Sequence, residues 1–114
     1  MKPTTQHVFK HHLYEYKKGV RHLFMMTVSA AEAAAMAQHL ASASIDHYLQ
    51  ELSPQKANLF FGRAAVVEAT RRVVTKPLNL LSPEEDFILG SLLGYDKEQQ
   101  CLRYLAKKGP VVRQ

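Results

Sequence analysis

The six histidines of this 114-residue chain are the residues most able to bind a metal ion. His11 and Glu15 are one helical turn apart and His12 is next to them, so an imidazole and a carboxylate could share a metal there. A zinc site needs a third protein ligand, but His22 and His47 belong to other predicted elements. We therefore interpret the histidines as structural or solvated residues, and the sequence predicts no metal and no cofactor.

Residue types that act as nucleophiles or as acid pairs also occur, but their settings predict structural roles. Cys101, the only cysteine, is in a predicted apolar stripe with Leu102 and Leu105, where a thiol is expected to be buried and inert. The acidic run at 84–86 follows Ser82 and is explained as part of a helix cap, with negative charge at the helix N-terminus. No catalytic residue is predicted, and the sequence favours a protein without chemistry of its own.

A glycine and an arginine between a predicted strand and a predicted helix are the clearest candidate for an anion site. Free amides at the helix N-terminus, together with Gly62 and Arg63, could contact a phosphate or a carboxylate; an ordinary strand-to-helix turn is the alternative. The formal net charge of +5 makes the surface attractive to anions. The residues predicted to bind an anion or an acidic partner are Lys17, Lys18, Arg21, Gly62, Arg63, Arg71 and Arg72.

Composition argues against several other classes of protein. No apolar run is long enough to cross a bilayer, the first residues lack the pattern of a signal peptide, and one cysteine suits a reducing compartment. We therefore expect a cytoplasmic protein. Aromatic residues beside Arg63 are also typical of proteins that stack single-stranded RNA on an open sheet face. Because the first strand is apolar on both sides and the basic residues follow no groove, nucleic acid is not expected as a partner. The lack of a long apolar run argues against a membrane.

The alternation of apolar and polar residues predicts one α+β domain over residues 1–114, with a frayed tail at 1–6. The first strand is apolar on both faces and is expected to be covered on both. The order of elements matches a ferredoxin-like unit without its last strand, so three strands should form a mostly antiparallel sheet with the first strand at an edge. The predicted elements in this part are a helix at 7–18, a strand at 20–28, a helix capped by Ser29 and Glu32, strands at 45–52 and 58–61, and a helix at 64–74.

The last part of the chain predicts a helical hairpin at 82–107, which brings the number of helices to about five. Gly94 ends the first helix of this hairpin, and Asp96 caps the second. Gly90 and Gly94 are four residues apart and share one face, where the missing side chains let another helix approach closely.

Three segments of the chain carry a resemblance to a known family. They are YEYKKGVRHL near the start, NLFFG in the middle and KPLNLLSPEEDFILGSLLGYDKEQQCLRYL at the end, so nearly the whole chain is covered. The pattern resembles a small uncharacterised bacterial family, the domain of unknown function numbered twenty twenty-three. The resemblance implies three strands with several helices, a homodimer and no assigned activity. It also implies a gene often placed beside a flavodoxin gene, and flavodoxins are acidic.

Two classes of function remain open from the sequence. The first is a non-enzymatic homodimeric interaction or regulatory protein with a basic surface for an acidic partner, such as a flavodoxin-type redox protein. The dimer could form through the edge strand, the apolar hairpin or both. The alternative is a small enzyme or ligand-binding protein, with a pocket between sheet and hairpin lined by Tyr14, Tyr48, Tyr95 and histidines.

Overall fold

A computed structural model describes residues 1–110 of the chain. Over these residues it contains five α-helices and a three-stranded antiparallel sheet, which confirms the predicted α+β class. The helices are α1 (Pro3–Lys18), α2 (Ala30–Ser42), α3 (Ala64–Val73), α4 (Pro83–Leu92) and α5 (Lys97–Lys108), the strands are β1 (Leu23–Ser29), β2 (Asp46–Glu51) and β3 (Lys56–Gly62), and a short 3-10 helix spans Leu78–Leu80.

The first helix is longer than the sequence predicted. It begins at Pro3, so the expectation of a frayed tail over 1–6 was wrong. Proline at the first helical position loses no hydrogen bond, because the amide there has no partner within the helix. Phe9 and Leu13 are buried and anchor α1, and Gly19 ends it in the left-handed conformation.

The central strand of the sheet is β3, which pairs antiparallel with β1 on one side and with β2 on the other. The strand order β1-β3-β2 leaves β1 at an edge, as the sequence predicted. Opposite Phe61 of β3 lie Phe24 of β1 and His47 of β2, so these three side chains share one face of the sheet.

Helices cover both faces of the sheet, as the two-sided apolar character of β1 predicted. On one face, α1 and α2 pack over Phe24 and Phe61, whose stacked rings have centroids 5.3 Å apart. On the other face, Leu23 and Phe60 are buried together with residues of α3 and α4. Thus α2 and α3 lie on opposite faces, whereas the two helices of a ferredoxin-like unit share one face.

The predicted helical hairpin is formed by α4 and α5. Ser82 and Glu85 make the predicted capping box of α4, with hydrogen bonds of 2.8 and 3.1 Å. Asp96 caps α5 by accepting a hydrogen bond from the amide of Gln99 at 3.0 Å. These caps fix where each helix of the hairpin starts.

Candidate functional site

The pattern of hydrogen bonds between β1 and β3 shows which backbone groups of β1 point out of the sheet. Arg63 donates to the carbonyl of His22 at 3.0 Å, and Ala30 donates to the carbonyl of Gln55 at 2.8 Å. When the register of β1 and β3 is continued by one residue at each end, His22 lies opposite Arg63 and Ala30 lies opposite Gln55. Both bonds therefore join directly opposed residues, and the residue on the β1 side is even-numbered in each case. Hydrogen-bonded and non-bonded pairs alternate in antiparallel strands, so the odd-numbered residues of β1 direct their amides and carbonyls away from β3.

The outer edge of β1 is therefore a row of unpaired backbone groups. The amide of Ser29 is occupied, because it donates to the side chain of Glu32 at 3.1 Å in the capping box of α2. Leu23, Met25 and Thr27 remain, and none of the described residues forms a hydrogen bond with their outward backbone groups. Leu23 is 0% exposed, so only Met25 and Thr27 are open to another chain. The free edge consists of Met25 and Thr27.

A stripe of apolar residues on α5 faces solvent. The side chains of Leu102 and Leu105 are 54% and 61% exposed. Cys101 is also exposed, so the prediction of a buried thiol was wrong. The reason is the orientation of the helix, since Gln100 and Tyr104 face α4 and turn this stripe outward. We call these residues, Cys101, Leu102 and Leu105, the α5 stripe.

Four of the predicted basic residues lie close in sequence or are joined through the sheet. Lys17 and Lys18 form the last turn of α1, immediately before Arg21. Arg63 is brought to the same end of the sheet, because its amide bonds to the residue after Arg21. Arg21 itself is engaged, with an ion pair of 3.3 Å to Glu15. In the described part of the chain, no carboxylate lies within ion-pair distance of Lys17, Lys18 or Arg63.

The other two predicted basic residues are at the far end of α3. Arg71 and Arg72 both bind Glu68, each at 3.2 Å. These hydrogen bonds, of which the one from Arg72 has the largest effect, hold the pKa of Glu68 below its usual value. Arg71 also lies over the ring of Tyr48 at 5.0 Å and donates to the carbonyl of His47 at 3.3 Å. Both arginines are therefore less available to a partner than Lys17, Lys18 and Arg63, which have no described ion pair.

The turn between β3 and α3 is tightly packed on the side of β1. A Cβ atom at position 62 would meet the carbonyl oxygen of His22, so glycine is required for the close approach of the two strands. Arg63 is the N-cap residue of α3, and its side chain makes no capping hydrogen bond. Strand packing alone explains Gly62, and the anion site at Gly62 and Arg63 stays a prediction.

Glu15 gathers three basic side chains at one carboxylate oxygen. His11 lies at 3.1 Å, Arg21 at 3.3 Å and His12 at 3.9 Å from this atom. Burial, followed by the positive charge of Arg21, lowers the pKa of His12. His47 is on β2, at the opposite edge of the sheet from β1, so it does not join this group. Among residues 1–110, no three His, Cys, Asp or Glu side chains are arranged to hold a metal ion.

A cleft of about 570 Å³ lies between β1 and the helical hairpin. Of the residues predicted to line such a pocket, only Tyr95 does so, and histidines are absent from its described lining. Tyr48 instead donates to the carbonyl of Val74 at 2.7 Å, beneath α3, and Tyr14 is on α1 beside Lys18. The cleft is lined by Met25, Leu78, Asn79, Leu81, Asp86, Leu89, Gly90, Leu93, Tyr95, Gln100, Arg103 and Lys107.

Polar groups of α4 and α5 meet along one wall of this cleft. Arg103 donates two hydrogen bonds to Asp86, of 2.8 and 3.1 Å, and the ammonium of Lys107 lies 3.4 Å from the same carboxylate. The bond from Arg103 is the main reason why the pKa of Asp86 is lowered. Gln100 is 9% exposed and lies against Gly90, and its side chain makes no hydrogen bond with any described residue.

Comparison with known proteins bears on the family but not on the activity. The family model described as protein of unknown function (DUF2023) matches residues 7–107. The chain belongs to the DUF2023 family. This confirms the resemblance found in the sequence. No curated protein matches the chain.

For this DUF2023 protein, the sequence did not identify Asp86, Gln100 or Arg103 as parts of one site. The sequence does contain a pattern that indicates a polar face, because the spacing of Gln100, Arg103 and Lys107 places them on one side of α5. What the sequence could not show is that this polar face, and not the apolar one, packs against α4.

In the described residues, no helix is long and apolar enough to cross a membrane.

Proposed function

We propose that this DUF2023 protein is a non-enzymatic homodimer of the cytoplasm that offers a basic surface to an acidic protein partner. The observation that carries the proposal is the free edge of β1, on a strand whose two faces are both covered by helices. An edge of this kind readily pairs with a strand of another chain. A second copy supplies the same edge, and a two-fold axis makes two such edges complementary in the antiparallel direction.

The residues of the free edge suit this pairing. If the two-fold axis passes through Met26, each Met25 lies opposite a Thr27 of the other copy, and the outward backbone groups of both residues form hydrogen bonds. The strand Leu23–Ser29 has no charged residue and no proline, which are the usual devices that block edge pairing. The two sheets then become one sheet of six strands.

Substitutions at Thr27 test the assembly. Because the amide of Thr27 points outward, Thr27→Pro removes an edge donor and leaves the backbone hydrogen bonds to β3 in place. Thr27→Val is the matched control: it keeps the amide and, like proline, lacks the hydroxyl that donates to Asn58 at 2.7 Å. In sedimentation at micromolar concentration, we expect dimers for the native protein and for Thr27→Val, and monomers for Thr27→Pro.

A second arm of the same experiment separates the edge from the α5 stripe. The double variant Leu102→Ser, Leu105→Ser removes the apolar character of the stripe, and we expect it to remain a dimer. A monomeric native protein would contradict the proposed dimer. A monomer only in the stripe variant would move the interface to α5.

The proposed surface for the acidic partner is centred on Lys17, Lys18 and Arg63. Each of these is exposed, and none has a described carboxylate partner, so their charges are available for a partner. Arg21 is fixed beside them, with its guanidinium 4.7 Å from the ring centre of Phe24. Such a cluster attracts an acidic protein, and the attraction decreases as salt rises.

A titration with a purified flavodoxin tests this surface. We expect binding at low salt that weakens at moderate salt, and loss of binding in the double variant Lys17→Glu, Lys18→Glu. Lys97→Glu, at the start of α5, changes the charge of an exposed lysine elsewhere and is expected to bind more strongly than the double variant. Equal binding by the native protein, the double variant and Lys97→Glu would contradict the proposed surface. It would not contradict the proposed dimer.

A further inference from the structure

We propose that the cleft between β1 and the α4–α5 hairpin binds a small amphipathic molecule with one carboxylate and an apolar body. This inference goes beyond the proposed dimer, because, of the described lining residues, only Met25 also lies on the free edge. The cleft volume of about 570 Å³ falls within the range of small-molecule sites, roughly 300–1,000 Å³. Small-molecule sites combine apolar walls with a few placed polar groups, and both are present here.

The first argument is the state of Gln100. The residue is 9% exposed and lines the cleft, and its side-chain oxygen and nitrogen form no hydrogen bond with a described residue, although neither atom is sealed from solvent. The amide therefore opens into the cleft, where a ligand can compete with solvent for its hydrogen bonds. A ligand in the cleft would satisfy this amide, which can both donate and accept.

The second argument is the charge at one end of the cleft. Asp86 is held by two cations, Arg103 and Lys107, so one positive charge is left over. Arg103 uses its Nε and Nη2 groups on Asp86, and its Nη1 group bonds to none of the described residues. A carboxylate is the ligand group that an arginine and a lysine together bind well.

The third argument is the order of these groups along the hairpin. Asp86 of α4 meets Arg103 of α5, Gly90 meets Gln100, and Leu93 is nearer the turn between the helices. Along the hairpin, polarity therefore changes from charged, through the amide of Gln100, to apolar at Leu93, with Tyr95 at the turn and Asn79 also in the lining. A monoanion with an apolar tail matches this order, whereas a neutral hydrocarbon or a phosphate does not.

Octanoate is a suitable probe, with acetate and octanol as controls that lack the tail or the charge. In NMR titrations of the full chain, we expect octanoate to shift the amide signals of Gly90 and Gln100 in a saturable way. Acetate and octanol should bind at least about tenfold more weakly, because each lacks half of the interaction.

Two variants and one matched control decide the roles of the residues. Gln100→Met keeps the length of the side chain and removes the amide, and should weaken octanoate binding about tenfold. Lys107→Gln should weaken it about threefold to tenfold. Lys108→Gln removes the next lysine, which pairs with Glu84 outside the cleft lining, and should leave binding unchanged.

Native binding with no shift at Gly90 or Gln100, or no binding at all, would overturn the proposal. So would equal octanoate affinities for Lys107→Gln and Lys108→Gln, a comparison that holds even if Gln100→Met fails to fold. Because the dimer is measured separately through Thr27→Pro, a negative result here does not bear on the proposed assembly.

Discussion

Gln100 lies across the hairpin against Gly90, with its side-chain oxygen in the place that a Cβ atom at position 90 would take. Any side chain at position 90 must displace Gln100 from its buried position. We therefore expect Gly90→Ala to lower the free energy of unfolding by about 1–3 kcal/mol, as measured by chemical denaturation.

A double variant separates this contact from other effects of alanine. If the clash with Gln100 causes the loss, Gly90→Ala combined with Gln100→Ala should be more stable than the sum of the two single changes predicts. Gly94→Ala serves as the comparison, because its loss of stability comes from the φ of +77° at this position. Gln100→Ala should not reduce that loss. Strictly additive losses at positions 90 and 100 would show that the contact has no energetic role.

The ion cluster at Asp86 predicts a dependence of stability on pH. Since the pKa of Asp86 is lowered in the folded protein, chiefly by Arg103, its carboxylate stabilises the fold above its unfolded pKa. This contribution is lost as pH falls through the folded pKa. Between about pH 5 and pH 2, the free energy of unfolding should fall more steeply for the native protein than for Asp86→Asn.

Glu98→Gln is the control for this pH series, because Glu98 is an exposed acid of the same hairpin with no described ion pair. Its pH dependence should follow that of the native protein. If Asp86→Asn also follows the native curve, Asp86 does not stabilise the hairpin through its charge.

The exposed thiol of Cys101 gives a probe of the α5 stripe. We expect a thiol reagent to modify Cys101 in the folded protein nearly as fast as in the unfolded protein, since the side chain is exposed. The rate should not change with protein concentration if the dimer forms through β1. Protection that increases with concentration would place α5 in an interface.

Local signals in the sequence predicted most of the elements. Ser82 and Glu85 predicted the start of α4, and the two-sided apolar pattern of β1 predicted helices on both faces of an edge strand. These features depend on residues near one another in the chain. The start of α1 was missed because Pro3 suits both a tail and a first helical turn.

Long-range packing could not be read in the same way. The apolar positions of Cys101, Leu102 and Leu105 correctly predicted a stripe, but the sequence does not say whether a stripe faces the protein or solvent. That choice depends on Gln100, which fits against Gly90, and on the pair of Asp86 with Arg103. Both contacts join α4 to α5 across a turn whose angle no local pattern specifies.

Hydrogen exchange at β1, followed residue by residue by NMR, tests the central claim most directly. The amide of Met26 bonds to β3 and should exchange slowly in either a monomer or a dimer. The amides of Met25 and Thr27 point outward, so they exchange slowly only if another strand covers them. The proposed dimer predicts slow exchange at Met25, Met26 and Thr27 alike, and faster exchange at Met25 and Thr27 on dilution. Fast exchange at Met25 and Thr27 at all concentrations, beside a protected Met26, would contradict it.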